Sequence, residues 1–374
     1  MALQASVDFK KMAVDWWGYV LLACLLIVVA TIRWRSKSAT ISRDVNSVVD
    51  KKKFVADVQT ATIVPRNNFK WQETKPLQLR TFKPKYHLTM SIESTTISEL
   101  VEMDSTYLDR INLRRKIMQE NPSIALGATD RISAAVNEFY VWIFGTYLPT
   151  RYPKMFVLHP TSVENLVNKE HIPRTPPTSS LEALKIMGSH IDHDFLFMLP
   201  SEDGEGYILE GFVVCFPSGF DTSKKCGMTL REIHGPVPNY KEKLALSMDR
   251  FFDRLEVGKV VKRANWTITT TDELFKPGGT HLYEGEEAEP EDVDISRTSL
   301  RCERQLLHRL PTSKAIVFSF ETYLYPIQQL RDEGSGDDLA NAIEGLAGGS
   351  VPAFHTYKRA GVWGDAVKAF LRND

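Results

Sequence analysis

His234 stands at the end of a predicted helix, immediately before a rigid bend. The segment Leu-Arg-Glu-Ile-His-Gly-Pro-Val-Pro places Gly235 and Pro236 after it, and neither residue continues a helix, because glycine is flexible and proline lacks an N–H group. A histidine held still in this way suits a metal ion, which needs a fixed ligand. The same side chain could instead cap the last carbonyl groups of the helix, where a positive charge interacts favourably with the helix dipole. The pattern leaves both interpretations open.

Two more histidines, His190 and His193, have the spacing H-x-x-H and stand beside Asp192 and Asp194. Imidazole and carboxylate groups are typical zinc ligands, which makes a metal site one interpretation of this segment. No second pair of ligands stands nearby, so a polar helix end or turn explains the segment more economically. We keep Asp194 as a candidate residue near a pocket.

Four charged residues lie within strands of a mostly apolar predicted sheet: Arg263, Glu303, Arg304 and Glu321. Structural ion pairs, or an outward-facing surface, would explain these charges without any binding site. Alternatively, arginine side chains bind the carboxylate groups of a cofactor through two parallel hydrogen bonds. The sequence pattern alone is compatible with both.

The elements that must position these residues follow one another irregularly, as in an α+β protein. A near-continuous apolar stretch predicts a strand at 206–217, and alternating apolar residues predict two antiparallel strands at 300–310 and 313–326. Apolar residues at helical spacing predict helices at 99–118 and 130–147, which are expected to pack over the sheet.

Five blocks in fixed order identify a family: CFPSGF, LREIHGPVPNY, DRFFDRL, KRANWTI and RCERQLLHRLPTSKAIVFSFETYLYPI. They resemble the family of the haem-dependent oxidative N-demethylase α-subunit, which includes bacterial dimethylamine monooxygenase subunits and many fungal proteins. The resemblance covers residues 82–327. It implies a PAS-like antiparallel sheet with flanking helices that holds a b-type haem.

The resemblance also implies roles for individual residues. Haem iron takes an axial ligand such as histidine, and the matching position for this metal-binding role is His234. Arg263 and Arg304 match positions expected to bind the haem propionates or to form the distal polar wall. The expected cofactor-binding residues are His234, Arg263, Asn265, Trp266, Arg304, Gln305 and Thr322. The expected catalytic residues are Asp194, Glu303 and Tyr323.

The activity that the resemblance implies is O2-dependent removal of an N-methyl group from a small amine. A partner reductase would supply electrons from NADPH through a flavin, since the chain has no phosphate-binding loop, dinucleotide fingerprint or G-x-S-x-G motif of its own. A protonated amine needs an acceptor, for which Asp194, Glu303 and Glu321 are candidates. Two other classes stay open: a haem-based PAS-like sensor and a haem-free scaffold protein.

Composition excludes several other classes of protein. The 374 residues carry a net charge of −1, which provides no electrostatic basis for binding nucleic acid. The four cysteines, Cys24, Cys215, Cys226 and Cys302, contain no C-x-x-C pair. A disulfide framework or a cysteine-based zinc site is therefore not expected.

An uncharged apolar run at residues 16–32 predicts a membrane anchor. Its length of about 25 Å as a helix is short for a bilayer core, which favours a thin membrane such as that of the endoplasmic reticulum. Arg33, Arg35 and Lys37 follow the run, so the positive-inside rule places the remainder of the chain in the cytosol. The sequence thus predicts a single-pass membrane protein with the membrane as a partner.

The predicted organisation of the chain has five parts. A short tail at 1–15 precedes the transmembrane anchor at 16–34, and a polar tether at 35–81 follows it. The haem-dependent domain is expected at 82–330. A C-terminal helical tail at 331–374 is expected to pack on this domain.

Overall fold

Ten β-strands organise the part of the chain that this computed structural model describes, residues 63–289 and 291–372. In chain order they are β1 (Glu93–Thr95), β2 (Leu126–Ala128), β3 (Phe156–Leu158), β4 (Ser162–Asn165), β5 (Glu170–Pro173), β6 (Asp194–Pro200), β7 (Tyr207–Val213), β8 (Val260–Thr269), β9 (Ser299–Arg309) and β10 (Ile316–Pro326). Seven of them form one antiparallel sheet in the order β1-β8-β9-β10-β6-β7-β2, and β3-β4-β5 form a smaller sheet.

The α-helices of the described residues are mostly short. They are α1 (Tyr107–Glu120), α2 (Pro122–Ala125), α3 (Ser133–Trp142), α4 (Leu148–Arg151), α5 (Ser180–His190), α6 (Leu230–His234), α7 (Tyr240–Lys243), α8 (Ala245–Arg254), α9 (Ile327–Asp332), α10 (Gly336–Ala347), α11 (Phe354–Tyr357) and α12 (Ala360–Arg372). A π-helical turn, Ile143–Tyr147, continues α3. The predicted helices at 99–118 and 130–147 are thus shorter and more divided than their apolar spacing suggested.

The five long strands have the connectivity of a PAS-type sheet. Read from β7, the order β7-β6-β10-β9-β8 is 2-1-5-4-3 in chain order, and α6, α7 and α8 lie between the second and third of these strands. The predicted α+β class with a large antiparallel sheet is confirmed. The two predicted strands at 300–310 and 313–326 are β9 and β10, paired antiparallel with Ile316 opposite Arg309.

Successive side chains of a strand point to opposite sides, so the sheet has two faces. Different elements cover these two faces. We call the side that contacts α6, α7 and α8 the first face; its core includes Leu209 and Leu307. The second face packs against α1, α3 and α5 through residues such as Phe195 and Leu306. Helices α9, α10 and α12 cover the far end of the second face around Trp266. All eleven residues of β9 are buried, so the sheet lies in the middle of the domain.

The predicted transmembrane helix and the predicted location as a single-pass membrane protein are corrected. Among residues 63–289 and 291–372, no helix is long and apolar enough to cross a membrane. The longest, α1, has 14 residues, whereas a bilayer core needs about 20 apolar residues. The predicted anchor at 16–34 itself lies outside the described residues.

Of the predicted tether at 35–81, the structure describes residues 63–81. Ile63 and Phe69 in this stretch are buried in the same core as α1 and α3. The helices after residue 330 also bury apolar side chains against the sheet, Trp363 among them. The proposed domain boundaries remain predictions.

Candidate functional site

A cavity of about 300 Å³ lies between the first face of the sheet and helices α6, α7 and α8. This volume is at the lower end of the range of roughly 300–1,000 Å³ that is typical of small-molecule sites. Apolar side chains form most of the wall; examples are Leu209 and Phe318 from the sheet and Ile233, Met248 and Phe252 from the helices. A site of this kind excludes water from most of an apolar ligand.

His234 lies on the cavity wall at the end of α6, where the sequence predicted the helix to stop. The helix begins at Thr229 with a capping box, in which the side chains of Thr229 and Glu232 each accept a hydrogen bond from the other's backbone N–H. Gly235 and Pro236 follow the last turn. The short helix is therefore defined at both ends, which positions His234.

The His234 ring is oriented by two contacts. Its Nδ1 atom lies 2.8 Å from the Leu230 carbonyl oxygen, so Nδ1 carries the proton and donates it. The ring stacks on Tyr240 with centroids 5.0 Å apart. Burial lowers the pKa of His234 to about 4, so the ring is neutral near pH 7. Together these features leave Nε2 as a free electron-pair donor, which is the arrangement that metal-ligating histidines use.

Three cations line the same cavity: Lys225, Arg263 and Lys358. None of them forms an ion pair with a carboxylate of the described residues. Lys225 lies over the Phe220 ring, the Lys358 ammonium donates to the Trp266 carbonyl oxygen, and Arg263 Nε has no hydrogen-bond partner.

Burial dominates the electrostatics of these cations. It lowers the pKa of Lys225 and of Arg263, and it lowers the pKa of Lys358 to about 8. The charge of Glu303 offsets part of this cost for all three, and an anionic ligand would stabilise them further. Glu303 is the one carboxylate of the lining, and its Oε2 accepts a hydrogen bond from Gln305 Nε2 at 2.8 Å. The lining therefore carries a net charge of two positive units when both lysines are protonated.

The structure brings half of the predicted site residues together. Those that line the cavity are His234, Arg263, Asn265, Glu303 and Gln305. They come from the end of α6 and from alternate positions of β8 and β9, which point to the first face.

The other predicted residues do not line the cavity, and strand alternation explains three of them. Trp266, Arg304 and Tyr323 point to the second face, where Arg304 donates to the Glu99 carbonyl oxygen at 2.6 Å. The Thr322 hydroxyl donates to the Phe216 carbonyl oxygen at 3.2 Å.

Asp194, a predicted catalytic residue, is fully engaged within the fold. Its carboxylate pairs with Arg114 at 2.7 Å and accepts the backbone N–H groups of Cys215 and Phe216 at 2.7 and 2.9 Å. Both members of the pair are buried, at 0% and 2% side-chain exposure. This geometry is that of a structural ion pair.

A family comparison identifies this protein's relatives. The family model described as "Haem-dependent oxidative N-demethylase, alpha subunit-like" matches residues 91–368, which is most of the 374-residue chain. The chain belongs to this family. The predicted family resemblance is thereby confirmed, and the matched range includes His234 and most of the cavity lining.

The residue types of the cavity lining suit the haem that the family description names. Haem needs a neutral nitrogen ligand for its iron, positive groups for its two propionates and an apolar envelope for its ring. The free Nε2 of His234, the three cations without ion pairs and the apolar wall correspond to these needs.

The sequence analysis missed cavity residues that come from distant segments. Tyr86 precedes the first strand, His281 and Tyr283 lie in the loop between β8 and β9, and Tyr357 and Lys358 end the short helix α11. The His281 ring packs against the Tyr357 ring at a tilt of 37°, with centroids 4.5 Å apart. Each segment combines a tyrosine with a histidine or a lysine, and this combination was the sequence signal that could have indicated a binding site. Their convergence depends on tertiary packing and could not be read from spacing.

The H-x-x-H pair lies apart from the cavity. His190, at the end of α5, has its Nε2 atom 3.4 Å from a Glu170 carboxylate oxygen. His193 is fully buried immediately before β6 and does not line the cavity. Within residues 63–289 and 291–372, no group of three histidine, cysteine, aspartate or glutamate residues has the geometry of a metal site.

Proposed function

We propose that this chain is a haem-binding oxidoreductase that removes an N-methyl group from a small amine. The cofactor would be haem b, and O2 would be the oxidant. Electrons would come from NADPH through the flavin of a partner reductase. The observation that carries the proposal is one cavity that combines the free Nε2 of His234 with three cations that have no ion pair.

In this proposal the chain's own residues bind and orient the cofactor. His234 Nε2 would bind the iron, and the Nδ1–H bond to the Leu230 carbonyl would hold the ring plane and increase the basicity of Nε2. Lys225, Arg263 and Lys358 would bind the propionates, whose two negative charges match the net charge of the lining. When bound, the haem would supply the iron centre that activates oxygen.

Glu303 is the proposed acceptor for the amine. One of its oxygens is bonded to Gln305, while Oε1 is buried and has no partner. A protonated amine could donate to Oε1 and thereby satisfy a buried carboxylate oxygen that is otherwise unpaired. The apolar side chains around it would limit the access of water to the reacting carbon. Asp194 and Tyr323 have no part in this proposal, since neither lines the cavity.

The first test is the absorption spectrum of the full chain produced with a haem precursor. We expect a Soret band that shifts on reduction and on addition of CO, and a changed or absent band in His234→Ala. His281→Ala is the matched control, because His281 lines the same cavity but lacks the helix-end geometry. A band that His234→Ala leaves unchanged, or the absence of haem from the wild type, would contradict the assignment.

The second test is turnover with a reductase, NADPH and a methylated amine. Release of formaldehyde that depends on O2 and decreases in Glu303→Gln would support the amine oxidation. The PAS-type strand order favours one alternative, a haem-based sensor. A normal haem spectrum without NADPH-driven turnover would favour that alternative.

A further inference from the structure

The charges of the cavity lining restrict which amine the site can hold. Within residues 63–289 and 291–372, the lining side chains with a formal charge are Lys225, Arg263, Lys358 and Glu303. Burial lowers the pKa of Lys358 only to about 8, so it is mostly protonated near pH 7. The lining histidines, His234 and His281, are neutral there, because burial lowers their pKa to about 4 and about 3. The lining therefore presents three cations and one anion.

The charge count changes when the proposed ligands are added. Two haem propionates together with Glu303 would give three anions for the three cations, and a ferrous haem adds no other net charge. An ammonium group that binds Glu303 takes one of these three anions. One buried cation then lacks a counter-charge, which is unfavourable. A substrate that also carries a carboxylate would restore the balance.

The strand register places one of the three cations beside Glu303. On the first face of the sheet, Arg263 of β8 lies opposite Gln305 of β9, and Asn265 lies opposite Glu303. Arg263 and Glu303 are therefore diagonal neighbours on adjacent strands, and long side chains at such positions reach one another. Both residues line the cavity, so one small molecule can contact both.

The chemistry of Arg263 suits a carboxylate. A guanidinium group binds a carboxylate through two parallel N–H···O hydrogen bonds. Its five N–H donors also allow a contact to a propionate at the same time. On the other side, Gln305 Nε2 donates to Glu303 Oε2 at 2.8 Å, which leaves Glu303 Oε1 for an ammonium group. The two diagonal neighbours thus match the two charged groups of an amino acid, which are attached to one carbon atom.

We propose that the substrate is an N-methylated amino acid, whose ammonium group binds Glu303 and whose carboxylate binds Arg263. This inference rests on the proposed function and names its substrate class. The reaction is the one proposed above: the N–CH3 group, O2, two electrons from the reductase and two protons give N–H, formaldehyde and water.

A pair of matched ligands tests the substrate class. N-methylglycine and N-methylglycinamide have nearly the same shape, but the amide has no carboxylate. Calorimetric titration of the haem-loaded full chain measures both affinities without turnover. We expect N-methylglycine to bind at least roughly tenfold more tightly, the effect of one charge-assisted hydrogen-bonded pair. Equal affinities, tighter binding of the amide, or binding of neither ligand would overturn the amino-acid assignment.

Arg263→Met tests the assigned residue, and the ratio of the two affinities is the readout. This ratio should fall to about one in Arg263→Met, because methionine cannot bind the carboxylate. It should stay at the wild-type value in the control Lys224→Met, since Lys224 is exposed and does not line the cavity. A ratio that Arg263→Met leaves unchanged would overturn the role of Arg263. A wild-type chain that binds no haem would overturn the proposed function itself, and this inference with it.

Discussion

Replacing Lys358 with methionine should affect the stability of the haem-free protein and its affinity for haem in opposite directions. Lys358 is 3% exposed, and its ammonium donates to the Trp266 carbonyl oxygen without a carboxylate partner. Methionine has a similar length and no charge. The substitution therefore removes an unfavourable buried charge from the empty cavity and, in the proposed complex, removes a partner of a propionate.

The size of the stability effect follows from the titration of Lys358. Burial lowers its pKa from 10.5 to about 8, which corresponds to about 3 kcal/mol against the charged form in the folded state. Because methionine also loses the hydrogen bond to Trp266, we expect the free energy of unfolding at pH 7 to rise by about 1–3 kcal/mol. This penalty is complete below pH 8 and disappears as the pH rises to 10.5, since the unfolded state binds more protons in that window. The difference between wild type and variant should therefore narrow above pH 8.

Two assays measure these effects. Urea unfolding of the haem-free proteins gives the free energies of unfolding at pH 7 and pH 9.5. Titration with haem, followed by absorption, should show an affinity roughly tenfold to hundredfold weaker in Lys358→Met, the effect of losing one charge-assisted hydrogen bond. Lys224→Met is the matched control, because Lys224 is an exposed neighbour of the cavity residue Lys225. It should change neither quantity by more than about 0.5 kcal/mol.

Either of two results would refute this reasoning. A lower free energy of unfolding in haem-free Lys358→Met would mean that the hydrogen bond to the Trp266 carbonyl and the cation–π contacts with the Trp266 and Tyr86 rings outweigh the cost of burying the ammonium. An unchanged haem affinity would mean that Lys358 does not contact a propionate, even if haem binds in this cavity.

Three further predictions concern the ligand, the fold and the sheet edge. Acid should release haem only as the pH falls to about 4 or below, because His234 binds the iron through its neutral ring. An acid titration followed by the Soret band measures this release. Loss of the band near pH 6 would argue against His234 as the ligand. Asp194→Asn should lower the free energy of unfolding by about 3–5 kcal/mol, since it leaves the buried Arg114 guanidinium unpaired. Urea unfolding measures this free energy. A loss below about 1 kcal/mol would contradict a structural ion pair. Gly127→Ala should be destabilising by about 1–3 kcal/mol, because the added Cβ would overlap the Phe212 ring. A thermal transition at the wild-type temperature would contradict this close contact.

Four of the five long strands, β7 to β10, and the position of His234 could be predicted from local sequence. Alternating apolar residues located β9 and β10 within a few residues. The family blocks include five of the cavity-lining residues, His234, Arg263, Asn265, Glu303 and Gln305. The helices were predicted less well. The run at 130–147 is divided by a π-helical turn, and α1 starts at Tyr107 rather than near residue 99. Apolar spacing reports the buried side of a helix but not the local geometry of its backbone.

The assignment of individual site residues was the weaker part. Arg263 and Arg304 are similar in sequence terms, since each is an arginine inside a strand of a matching family block. They lie on opposite faces of the sheet. Of the two, Arg263 lines the cavity and Arg304 does not. Asp194 was expected near a pocket but is held by Arg114 and two backbone N–H groups. A charged residue in a strand does not reveal whether a ligand or a protein group satisfies it.

The sequence by itself determined the strands β7 to β10, the family and the rigid end of α6 at His234, because all three depend on residues that are neighbours in sequence. Tertiary structure alone decided which face of the sheet meets α6, α7 and α8, and hence which alternate residues line the cavity. It also brought Tyr86, His281 and Lys358 to one wall from three distant segments. The physical reason is that a strand's periodicity defines two faces without choosing between them, and only the packing of helices against one face makes that choice.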